Sequence, residues 1–220
     1  MIPQRVLMLI LNYTPATDAA QALSVAERAL TGGVNWVMLR VRELPARLAL
    51  DLGVQLRQLT WQANALLSVN PYPALAAWCA ADALHLPETA SPYTPPAPMM
   101  LGRSVHSVES ALRAEAEGCH YLLVGTIYPT QSHPDKTPEG IALLYAVRQA
   151  VSIPIIAVGG ITPERVLECV QAGAQGIAVV SGITEATNPA EAARQYHAAL
   201  HHGASSTARQ RPTGRIHPPV

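Results

Sequence analysis

Ile153-Pro154-Ile155-Ile156-Ala157-Val158-Gly159-Gly160-Ile161-Thr162, followed by Gly176-Ile177-Ala178-Val179-Val180-Ser181-Gly182, is the stretch that decides the fold of this chain. Two short apolar runs each end near glycine, and Val166, Val170 and Ala174 recur between them at helical spacing. That pattern is a βαβ unit with backbone amides released at the end of both strands. Glycine turns sharply without a Cβ and lets an anion approach the N–H groups. Thr162 and Pro163 then open a helix whose positive end faces the same place. The pattern predicts a phosphate cup on Gly159, Gly160, Val180 and Ser181; ordinary turn glycines of an α/β protein are the alternative. In an eight-stranded β/α barrel the phosphate site lies on the loops after the last two strands, and these are the last two strand candidates in the chain.

Working back toward the N-terminus, apolar runs recur at Val6–Asn12, Trp36–Arg42, Ala65–Asn70, Ala83–Leu86, Met99–Ser104 and Tyr121–Gly125, before Ile153–Gly159 and Gly176–Ser181. Helical spacing marks Ala16–Leu30, Ala46–Gln62, Val108–Glu117, Ile141–Ala150, Pro163–Ala172 and Pro189–His202. Alternation on this scale predicts a parallel sheet closed into a single (β/α)8 TIM barrel. Pro71, Pro73, Pro87, Pro92, Pro95, Pro96 and Pro98 crowd the third and fourth units, so helices there should be short or missing. The barrel domain is expected over residues 1–202, with 203–220 a disordered, slightly basic tail.

Basic and acidic residues balance at 15 each and charged residues are 14% of the chain, so no electrostatic footprint points to nucleic acid or an anionic membrane. Cys79, Cys119 and Cys169 have no metal-like spacing and read as buried thiols of a reducing compartment. Val6 to Leu11 is far too short to span a membrane, and a cytoplasmic location is expected. A homo-oligomer is left open.

Met38, Arg40 and Arg42 alternate along the second strand and share a face. Buried guanidinium groups need partners, which points Arg40 at Glu43 or at a ligand anion, with a structural ion pair as the alternative. In Gly102-Arg103-Ser104-Val105-His106-Ser107 a strand gives way to a loop; Ser107 and Ser110 read as a helix cap, and His106 as a general base or a hydrogen-bonded histidine at the helix start. The long polar loop 125–140 carries Thr126, Thr130, Ser132, His133 and Lys136, suited to a lid or binding segment, or else simply solvated. His197 and His201 are four apart on the last helix with no third ligand in view, and Asp82 and His85 lack an acidic cluster, so no metal site is expected.

Leu39-Arg40 with Arg42-Glu43, Gly102 to Ser107, Gly125 with Pro129-Thr130, Ile153 to Thr162 and Ala178 to Gly182 fall in one family order. The chain resembles thiamine phosphate synthase and its TenI relatives, the thiazole tautomerases, most densely from Leu101 to Ala193. The resemblance implies a TIM barrel that holds a thiazole phosphate at its C-terminal face. The synthases use magnesium held by two aspartates, and the corresponding places here read Asn70-Pro71 and Leu86-Pro87-Glu88-Thr89-Ala90. The synthase loop lysine appears as His133 and the strand lysine as Arg42. The TenI branch resembles the chain better and needs no metal. Its catalytic histidine, which follows the glycine of the sixth strand, is replaced by Thr126, so proton transfer would fall to His133, His106 or a water held by Thr126.

The expected function is metal-independent tautomerisation of a carboxythiazole phosphate without cofactor. The alternatives are a divergent, magnesium-using thiamine phosphate synthase and a non-catalytic thiazole phosphate binder. In each case the phosphate is expected on the amides of Gly160 and Ser181, with Arg40, Arg42, Asn70, Ser104, Thr130 and Ser132 completing the binding set.

Overall fold

The computed structural model describes residues 1–43, 46–130 and 137–207. Eight parallel strands, β1 (Val6–Tyr13), β2 (Trp36–Val41), β3 (Leu66–Asn70), β4 (Ala83–Leu86), β5 (Met100–Val105), β6 (Tyr121–Val124), β7 (Ile155–Val158) and β8 (Gly176–Val179), close into a barrel in sequence order. Closure is direct: Val6 of β1 pairs with Gly176 of β8. A Cβ on Gly176 would come within 2.1 Å of the Val6 carbonyl oxygen, so the seam takes glycine there.

The helices are α1 (Ala19–Thr31), α2 (Ala46–Gln62), α3 (Pro73–Trp78), α4 (Val108–Ala116), α5 (Ile141–Ala150), α6 (Val166–Gln171), α7 (Ser181–Thr184) and α8 (Pro189–Thr207). In the proline-rich region α3 has 6 residues and β4 runs to β5 with no helix between. Pro87, Pro92, Pro95, Pro96 and Pro98 leave no stretch there that could sustain a turn of helical hydrogen bonds. Three helix boundaries differ from the sequence reading by more than one residue. Helix α1 starts at Ala19 because Asp18 caps it, its carboxylate accepting the Ala20 N–H at 2.8 Å. The segment after β7 opens as a 3-10 turn, Pro163–Arg165, before α6, and Thr162 supplies no side-chain cap. Helix α8 continues to Thr207; residues 208–220, most of the expected tail, lie outside the described residues.

Strand alternation divides the apolar residues into two cores. Val6, Met8, Ile10, Trp36, Met38, Tyr121, Leu123, Ile156 and Ala178 fill the barrel interior. Leu7, Leu9, Leu39, Leu67, Leu84, Leu101, Leu122 and Ile177 face outward under the helices, with Cys79, Cys119 and Cys169 in the same layer. This two-faced burial explains why the strands read as continuous apolar runs. Among the described residues no helix is long and apolar enough to cross a membrane.

Two buried ion pairs hold the less helical side. Arg57 of α2 reaches Asp82 at 2.6 Å, and the other Asp82 contact there is the Leu67 N–H at 2.7 Å. Arg103 of β5 is 3% exposed and faces Glu117 at 3.0 Å. Its Nη1 also donates to the Ala90 carbonyl at 2.7 Å and the Glu88 carbonyl at 3.3 Å. One buried guanidinium thereby ties down the loop that replaces the fourth helix.

Candidate functional site

Inside a parallel barrel, the last inward-facing residue of each strand faces the mouth. Here those residues are Asn12, Arg40, Asn70, His85, Ser104, Leu123, Val158 and Ala178, and all eight line one cavity of about 380 Å³ at the C-terminal face, with Gly125 and Val180 one residue beyond β6 and β8. Its size suits a small ligand. The loops add Glu88, His106, Thr126, Thr130, Gly159, Gly160, Ser181 and Gly182 to the wall.

The β7 and β8 ends form a polar cup. Gly159 and Gly160 have φ of 104° and 61°, left-handed values that favour glycine. A Cβ on Gly159 would lie 2.5 Å from Thr126 Cγ2, and one on Gly160 would lie 2.3 Å from the Pro129 carbonyl oxygen. Among the described residues, no carbonyl accepts the amides of Gly160, Ser181 or Gly182, while Ile183 and Thr184 N–H groups both return to the Val180 carbonyl. Three donors around one concavity match a phosphoryl group. The segments that follow, a 3-10 turn with a 6-residue helix and the 4-residue α7, are too short to carry a large dipole, so the donors of the cup are local amides rather than the expected Thr162 helix.

Opposite the cup, Arg40 is half-buried and its Nη1 donates to Asn12 Oδ1 at 3.4 Å. Burial first, and then Arg42, hold its pKa below the ordinary guanidinium value. Among the described residues no carboxylate pairs with Arg40, Glu43 included, so of the two partners expected for it a ligand anion is the one the geometry accommodates. Arg42 is placed differently from the sequence expectation. Strand β2 ends at Val41, the Arg42 N–H still bonds the Tyr13 carbonyl at 2.9 Å, but the side chain is exposed and outside the lining. The alternation rule stops where the strand stops.

His106 lies between two carboxylates, with Glu139 3.5 Å from Nδ1 and Glu88 3.9 Å from Nε2, and its Nδ1 hydrogen-bonds the Gly125 carbonyl. A carbonyl only accepts, so Nδ1 carries a proton and donates it there. Ser107 and Ser110 form the expected cap, a reciprocal pair with the Ser110 N–H on Ser107 Oγ at 3.0 Å. Thr126 is buried beside Gly159; its hydroxyl is no base at neutral pH. Thr130 is on the wall, whereas Ser132 and His133 lie outside the described residues.

Asn12, His85, Glu88 and Gly182 on the wall escaped the sequence-derived binding and catalytic set, as did Glu139, which lies off the wall beside His106. His85 is 1% exposed, with Nε2 2.9 Å from Ser104 Oγ and Nδ1 3.3 Å from the Tyr121 hydroxyl. Burial, then Arg40 and Arg103, push its pKa down to about 3, so it is neutral at physiological pH. The unfolded chain binds a proton at this residue below about pH 6.5 that the folded chain refuses until about pH 3. Stability should therefore fall as pH drops through that window, and His85→Gln should flatten the fall. Urea midpoints of both proteins at pH 7 and pH 5 check this.

The model of a family described as thiamine monophosphate synthase matches residues 7–183. A thiamine-phosphate synthase of Haloquadratum walsbyi is 41% identical over 180 residues, 78% of this chain and 80% of the relative. One from Moorella thermoacetica is 36% identical over 201 residues, 88% and 95% of the two chains. The solved structure of a thiamine phosphate pyrophosphorylase from Pyrococcus furiosus superposes with a TM-score of 0.79 at 28% identity, covering 91% of this chain and 97% of that one. The relatives carry the synthase name, which does not itself select the TenI branch. The chain belongs to the thiamine monophosphate synthase family, and with it to thiamine biosynthesis.

Proposed function

We propose that this protein is an enzyme that holds a phosphorylated thiazole in the barrel mouth, its phosphate on the Gly160, Ser181 and Gly182 amides and its ring toward Met38, Leu123 and Ala178. The observation that carries the proposal is the cup itself: left-handed glycines and amides that, among the described residues, meet no carbonyl, beside an apolar floor and facing an arginine that no described carboxylate pairs. A cytoplasmic location, where the buried thiols stay reduced, is part of the same proposal.

Of the reactions open to a bound thiazole phosphate, joining it to a pyrimidine diphosphate is the first reading, because relatives 34–41% identical are named for that synthesis. Arg40 would meet the diphosphate and Asn70 and Ser104 would orient it. The family's magnesium does not fit the described residues. Pro71 and Ala90 offer no oxygen side chains, Glu88 is turned toward His106, and among the described residues no three His, Cys, Asp or Glu converge as a metal site. No step is therefore assigned to the metal.

A second reading, the metal-independent tautomerisation, is favoured by one specific observation: an imidazole, His106, is held at the wall by its Nδ1 bond to the Gly125 carbonyl. In that reaction His106 takes the proton from the non-aromatic ring and returns it at the other position, while the cup keeps the phosphate fixed.

One pair of assays separates the readings. Pyrimidine diphosphate with thiazole phosphate is expected to give thiamine phosphate and pyrophosphate. Aromatisation of the carboxythiazole phosphate, followed by ultraviolet absorbance in a chelator and lost in His106→Gln, would instead establish the tautomerase. Turnover in neither assay, with thiazole phosphate still bound, would leave a binding protein.

A further inference from the structure

Below the cavity floor a line of polar side chains crosses the otherwise apolar barrel interior. Trp36 Nε1 donates to Ser68 Oγ at 3.0 Å. Tyr121 Oη is 3.3 Å from His85 Nδ1, and His85 Nε2 is 2.9 Å from Ser104 Oγ. Trp36, Ser68 and Tyr121 are fully buried, and Tyr121 is not part of the cavity wall. Gly102 makes room for it, since a Cβ there would fall 2.1 Å from the Tyr121 ring.

The direction of this line follows from Tyr121. The fully buried Tyr121 hydroxyl has His85 Nδ1 as its hydrogen-bond partner among the described residues, and its proton needs an acceptor. Tyr121 then donates to Nδ1 of His85. The imidazole is neutral, so its single proton sits on Nε2 and is donated to Ser104. With its oxygen thus engaged, Ser104 turns its own proton into the cavity. The reverse direction, Nδ1–H to Tyr121, would leave the buried phenol proton with no acceptor among the described residues.

We propose that Tyr121 is a positioning residue: by donating to Nδ1 it fixes one tautomer of His85 and leaves Ser104 as a hydrogen-bond donor to the anionic part of the ligand. The ligand half of this statement rests on the thiazole phosphate reading; the hydrogen-bond half does not. His85 is then no proton carrier for the reaction, despite lying on the wall. A cavity with a fixed donor here favours phosphoryl or carboxylate oxygens and disfavours ligands that present an N–H at the same point.

The test is 15N NMR of His85 in the ligand-free protein, combined with titration of thiazole phosphate. The wild type should show only the Nε2–H tautomer. Tyr121→Phe removes the donor to Nδ1 and leaves a space a water can fill as donor or acceptor, so both tautomers should appear and thiazole phosphate affinity should fall about tenfold. Ser104→Ala should lose a similar factor, and the double variant should lose no more than Ser104→Ala alone. Should Tyr121→Phe fold poorly, the His85 tautomer of the wild type alone decides the hydrogen-bond half. An Nδ1–H tautomer in the wild type, or Tyr121→Phe with unchanged His85 signals and unchanged affinity, would overturn the proposal. A wild type with the Nε2–H tautomer that binds no thiazole phosphate would support the hydrogen-bond chain and overturn the ligand reading alone.

Discussion

Gly160→Val should lower thiazole phosphate affinity by roughly 100-fold or more, the largest single effect expected on binding. Its Cβ would sit 2.3 Å from the Pro129 carbonyl oxygen and 2.9 Å from Tyr128 Cβ, at a φ of 61°. The loop must move, and the amides of the cup move with it. Hydrogen bonds to a charged group contribute about 1.5–3 kcal/mol each, so losing one or two accounts for the expected factor. The left-handed backbone adds a separate strain of about 1–2 kcal/mol, which lowers stability without bearing on the ligand. Gly118→Ala isolates that second effect. Gly118 has a φ of 82° and nothing within 4 Å of its would-be Cβ, and it lies away from the cavity. That variant should lose stability and keep its affinity, as calorimetric titration of both proteins would show. Equal affinity in Gly160→Val and the wild type would mean that the phosphate is elsewhere.

Arg103→Met should cost about 3–5 kcal/mol of stability, because it removes one partner of a buried ion pair and leaves Glu117 uncompensated. Several loop carbonyls lose their donor at the same time, Ala90 and Glu88 among them. For a chain of this size that corresponds to a fall in Tm of roughly 10 °C. The pair is close at 3.0 Å, yet Glu117 Oε2 makes no aligned hydrogen bond, so most of the loss reflects the stranded carboxylate rather than the attraction. Neutralising that charge as well, in Arg103→Met with Glu117→Gln, should therefore recover part of the stability. A thermal melt of the three proteins measures this, and no recovery in the double variant would show that the loop carbonyls dominate. The loop bears Glu88, so Arg103→Met should also weaken ligand binding, through displacement rather than contact.

Arg103 illustrates where sequence reading stops. It stands in a recognisable motif, but its partners lie on the β4–β5 loop and beyond α4, and no local pattern pairs them. The barrel was legible because each strand ends in a turn residue and each helix repeats its apolar positions, rules that act within a few residues. The cup was legible for the same reason, since Gly159, Gly160 and Ser181 belong to two adjacent strand ends. His85 and Asn12 were within reach as well. The alternation that points Arg40 inward applies equally to Ala83 and His85, or to Ile10 and Asn12, and it was applied only where a charge drew attention. Arg42 shows the converse, a rule carried one residue past the strand that justified it. The bracketing of His106 by Glu88 and Glu139 had no sequence signal, because it depends on how two long loops meet above the mouth.

The most direct measurement is a calorimetric comparison of thiazole phosphate with the same thiazole lacking its phosphate, on the wild-type protein. The cup of Gly160, Ser181 and Gly182 amides predicts that the phosphorylated compound binds at least 100-fold more tightly, with the difference shrinking as inorganic phosphate is added. Equal affinities, or a difference indifferent to inorganic phosphate, would contradict a phosphate site at the ends of β7 and β8.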